Sequence, residues 1–173
     1  MTPYCREMTG GETARDDHDP PDCDELMATC AHLDLKLRAL HSRLSERAGE
    51  TLALGQRFNE VSEELGRLEH PVSSVEVDRE LLRSEVTQVD VEATAVLAAV
   101  ERDVRWANDL ADELAQVRTG DYLAAELDRQ HLVEAVKHAR RQLELDLQII
   151  SVGRDIANRT RSILADRPTD AAE

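Results

Sequence analysis

From Leu26 to Val72, one position in every three or four is apolar. Steps of four and three alternate through Leu26, Cys30, Leu33, Leu37, Leu40, Leu44, Arg47, Thr51, Leu54, Phe58, Val61, Leu65, Leu68 and Val72, and only Arg47 and Thr51 break the pattern. An average spacing of 3.5 residues keeps one narrow stripe of a helix against a partner helix for as long as the repeat lasts. Nearly seven heptads of it make a long helix that cannot stay dry alone.

Two further stretches carry the same spacing. Leu82, Val86, Val89, Ala93, Val96, Val100, Asp103, Ala107, Leu110, Leu114 and Val117 form the second row. Val77, Leu81, Val91, Leu97 and Val104 widen that helix's apolar face, which implies two neighbours. A third row runs Leu132, Val136, Ala139, Leu143, Leu147 and Ile150, then shifts to Ile149, Val152, Ile156 and Ile163. With aromatics at 2% of the chain, Leu, Val and Ala must supply the buried area.

The breaks between rows are local signals. His70-Pro71 ends the first helix, because a residue before proline is pushed out of helical geometry. Ser73 followed by Glu76 reads as a capping box opening the second helix. Thr119-Gly120-Asp121 offers a left-handed glycine and then a capping aspartate. The expected architecture is all-α, a long up-down-up antiparallel three-helix bundle or coiled coil over residues 23–166, with helices at about 24–69, 74–117 and 122–165. Residues 1–22 read as a disordered acidic arm and 167–173 as a flexible tail. Folding the second and third helices back about Thr119-Gly120 sets position i opposite roughly 239 − i, placing Asp103 near Lys137 and Arg105 near Glu134.

Charge narrows the partners. A net charge of −15 disfavours phosphate backbones and anionic membranes, both of which need clustered Lys and Arg. Lys137-His138-Ala139-Arg140-Arg141 is the one basic cluster, and its surroundings are acidic. No run of 18 apolar residues predicts a membrane span, and the N-terminus lacks a signal-like apolar segment, so a cytoplasmic protein is expected.

The candidate chemistry is sparse. Cys23, Cys30 and His32 are possible zinc ligands, but their C-x6-C-x-H spacing is not that of a structural site, and Cys30 lies on the apolar stripe. His131 and His138 share a helix face without the carboxylate set that a di-metal bundle requires. No nucleophile triad or phosphate-cradling loop is visible.

The sequence therefore implies a non-enzymatic coiled-coil scaffold, adaptor or subunit with no cofactor or metal. It would bind protein partners or itself through its helix seams, with no nucleic acid and no membrane insertion. The seam residues Leu33, Leu37, Leu40, Leu44, Leu54 and Phe58, with Trp106 as a possible anchor, are the candidate partner-binding set. The competing expectation is a regulatory or sensory bundle that takes a metal or phosphate-type ligand on carboxylates such as Asp103, Asp109 and Asp112. A third is an acidic decoy for a basic nucleic-acid site on another protein.

Overall fold

The computed structural model describes residues 22–69, 78–120 and 122–166. Three helices, α1 (Cys23–Glu69), α2 (Arg79–Gln116) and α3 (Leu123–Asp166), pack with every pair in contact, an all-α three-helix bundle. At 1.5 Å per residue, the 47 residues of α1 span about 70 Å.

The Ser73–Glu76 capping box lies outside the described residues. The cap that is described is Asp78, in extended conformation, whose carboxylate accepts from the backbone N–H groups of Glu80 and Leu81 at 3.0 Å. At the other end Gly120 takes a φ of +53°, which reverses the chain without Cβ strain. Asp121 lies outside the described residues. The Thr119 hydroxyl donates to the Glu126 carboxylate at 2.6 Å, and Arg129 grips the same carboxylate at 2.8–2.9 Å. Arg129 first, then Thr119 and Gln130, hold Glu126 down at about pKa 2.

On α1 the heptad stripe is the core, with every position from Leu26 to Leu65 buried except Arg47, which is partly covered. On α2 the inward row is as expected, with Ala99 buried beside a half-buried Val96. Of the wider face, Leu81 and Val91 point to solvent, so it is narrower than the sequence suggested.

The third row departs from expectation. It does not shift after Ile150 but keeps its step through Gly153, Ala157, Thr160 and Leu164, with Asp146 inside and Leu147 at the margin. Ile149 and Val152 are left outside. The reason is volume. A Cβ on Gly153 would sit 1.9 Å from the Phe58 ring, so the chain's one phenylalanine fits only where the opposing helix has no side chain. Turning Ile149 or Val152 inward would overfill that layer.

Alignment is fixed by charge as well as shape. Lys36–Glu113, Arg47–Asp103 and Arg57–Glu92 join α1 to α2, and in each pair the residue numbers add to 149 or 150. Asp90 ties α2 to α3 through Arg154 at 3.5 Å and Arg161 at 2.6 Å. The pairs expected from the 239 − i register are not those formed. Lys137 pairs with Glu134 on its own helix, and Asp103 turns to α1. Asp103 sits between two arginines of α1, which satisfies its charge more fully than one lysine on α3 would.

Candidate interaction surface

Because the seams close on one another, the residues expected to receive partners lie in the chain's own core. Leu33, Leu37, Leu40, Leu44, Leu54 and Phe58 are all at most 6% exposed, packed against the other helices of the same chain. Each can meet another protein only if the bundle opens. Trp106 is half-buried, with the Arg43 guanidinium 5.1 Å above its ring; it holds an intramolecular contact rather than a free anchor.

At the bundle's waist lie the buried Thr51, Asp103 and Asp146. Asp103 is fully buried, with Arg43 Nη2 2.5 Å from Oδ1 and Arg47 Nε 3.4 Å from Oδ2. Burial works against the Arg47 charge, but Glu50 and Asp103 outweigh it and the guanidinium pKa rises. One turn further along α1, Thr51 faces Asp146 of α3. That carboxylate is 2% exposed and receives only a long 3.5 Å hydrogen bond from Gln142, a weak polar contact from Thr51, and no donor at Oδ2. Burial pushes its pKa up.

These polar groups do not assemble into a ligand site. Asp109 and Asp112 are exposed while Asp103 is consumed by arginines, so the three carboxylates do not converge. Cys30 points into the core and His32 to solvent, so they cannot share an ion. Burial, and then the Asp128 charge, raise the Cys30 thiol, making it a small apolar filler rather than a thiolate. His131 and His138 are exposed. No group of three or more His, Cys, Asp or Glu among the described residues could hold a metal. Two surface depressions, each about 440 Å³, are open grooves between α1 and α2. One is framed by the Arg47–Glu50 and Arg57–Glu92 pairs, and the other by Glu25, His32 and Glu113. Both are open to solvent along their length.

The outer face of α3 is different. Leu145 is 53% exposed, Ile149 43% and Val152 61%, in a row one to two turns apart. Leu52 of α1, 65% exposed, flanks them one turn before Gly55, where a Cβ would lie 3.5 Å from Ile149 Cγ2. Four aliphatic side chains thus stand together on an otherwise charged exterior. The signal in the sequence was the doubled apolar row around Leu147, Ile149 and Val152, but apolarity alone could not say which row faced in. Leu35 and Val91 are exposed singly, and Leu123 and Leu127 form an exposed pair at the start of α3. No described helix is long and apolar enough to cross a membrane.

Compared with family models, curated proteins and solved structures, the chain matches none.

Proposed function

We propose that this chain is a non-enzymatic interaction module of the cytoplasm, a scaffold, adaptor or subunit of a helical complex, which docks a partner helix on the outer face of α3. The observation that carries this reading is the Leu145–Ile149–Val152 row with Leu52 beside it, a face that water solvates poorly. The buried Asp103 of the waist is taken up by Arg43 and Arg47, which hold α1 to α2. The acidic net charge favours a protein over nucleic acid as partner.

The reading is tested by substituting Leu52→Gln, Leu145→Gln and Val152→Gln together. All three positions are exposed, so the helix content should be unchanged. The proteins retained by the immobilised full chain are then compared with those retained by the variant. Selective loss of specific partners supports the reading. An identical set on both, or none on either, contradicts it.

A further inference from the structure

We infer that the partner of this outer face is a second copy of the same chain, joined by an antiparallel, two-fold contact of α3 on α3 centred at Gln148. The inference rests on the interaction-module reading and names its partner.

Arg141, Leu145, Gln148, Val152 and Asp155 follow one another at four, three, four and three residues, which puts them on a single row along the helix. All five are exposed. The row is a chemical palindrome. Turned end for end about a point beside Gln148, it brings Leu145 against Val152 and Arg141 against Asp155, each to within one residue, and Gln148 near its own image. A two-fold axis makes every such contact twice, as self-pairing interfaces require. Ile149 and Leu52 lie along one side of the row and would close over its edge.

The charges single out this partner. Arg141 and Asp155, like Arg140 and Glu144 beside them, have no ion-pair partner among the described residues, so both ends of the row are open to a partner's charge. The nearby Glu134 is already lowered by its hydrogen bond from Lys137, and Arg141 adds only its more distant charge. Beyond the row, Lys137 and Arg159 are each neutralised in place, by Glu134 and Glu69. An unrelated partner would have to supply an anion at one end of the stripe and a cation at the other. A second copy presents the complement by construction.

The contact is short. From Arg141 to Asp155 the helix rises about 21 Å, so the interface falls at the small end of specific contacts and the dimer should be concentration-dependent.

Sedimentation equilibrium of the full chain over a wide concentration range tests this, with circular dichroism confirming that each variant stays helical. The wild-type chain should pass from monomer to dimer. Arg141→Asp and Asp155→Arg should each weaken dimerisation at least tenfold, and the two together should restore it to within a few-fold of wild type. A chain monomeric at every concentration, or a dimer indifferent to both single reversals, overturns the inference. If the chain is monomeric yet the Leu52/Leu145/Val152 variant still loses specific partners, the second copy is wrong and the docking face stands. If that variant loses nothing either, both fall.

Discussion

Two neighbouring stretches of the same helix solve the packing problem in opposite ways. Around Arg47 and Thr51 the layers are polar, with Asp103 held by two arginines and Asp146 buried with a single long hydrogen bond. Two turns further along, Phe58 fills the space left by Gly153 and the layers are apolar. Both obey one alignment, since Thr51 meets Asp146 and Phe58 meets Gly153 at the same offset of 95 residues. The apolar layers exclude water and supply the stability. The polar waist penalises a slipped alignment, because a shift of one turn would leave buried Asp103 with one arginine in place of two. Stability and register thus come from different residues.

The comparison breaks most severely at Phe58. Phe58→Ala removes the largest core side chain opposite an empty glycine site and should cost about 3–5 kcal/mol, read from chemical denaturation. Arg47→Leu comes next, leaving buried Asp103 with only Arg43, and should cost about 2–3 kcal/mol. Arg47→Leu with Asp103→Leu should return to within about 1 kcal/mol of wild type, since an apolar pair can replace a buried ionic one. If the double variant stays as unstable as the single, the waist contributes stability and not only alignment.

Smaller effects sharpen the contrast. Gly153→Ala forces the Phe58 ring to move and should cost about 1–3 kcal/mol. Adding Phe58→Leu should recover part of that loss, because the two changes share one space. Asp146→Asn should stabilise the bundle by about 1 kcal/mol at pH 7. The sign follows from burial. With its pKa raised above the usual aspartate value, Asp146 favours the fold when protonated, and that contribution is lost as pH rises through the raised pKa. Glu126 runs the other way. Lowered to about 2, it stabilises above its ordinary pKa of 4.5 and loses that as pH falls toward 2. Denaturation midpoints between pH 3 and 7 should therefore show a different slope for Asp146→Asn than for wild type.

The parts of this molecule that were legible in the sequence are those where chemistry and position agree. Leu26 through Leu65 are apolar and inward, and Gly120 turns because a left-handed residue is needed there. The register was not legible, because Lys137, Arg154 and Arg161 are interchangeable by charge and only packing selects Asp90 as the α2 partner of the arginines. The exposed face was misread for a related reason. Ile149 and Val152 look like core, while Gly153, Ala157 and Thr160 look like surface. The decision is made by the volume of Phe58 on another helix, and no periodicity along α3 contains it. Burial of Asp146 was hidden in the same way, since its threonine partner lies 95 residues away, whereas Asp103 already stood on the second apolar row and only its arginine partners were not legible.

The account depends on the three stripes closing within a single chain, and Lys36 tests that directly. Its ammonium lies 2.6 Å from the Glu113 carboxylate, and Lys137, the chain's other lysine, beside Glu134 serves as an internal control. Mixing unlabelled and 15N-labelled protein, refolding, and joining amine to carboxylate with a carbodiimide should yield Lys36–Glu113 peptides. Each such peptide should be wholly light or wholly heavy. Peptides pairing a light Lys36 with a heavy Glu113, at the statistical frequency, would mean that the stripes close between chains and would contradict the bundle as described.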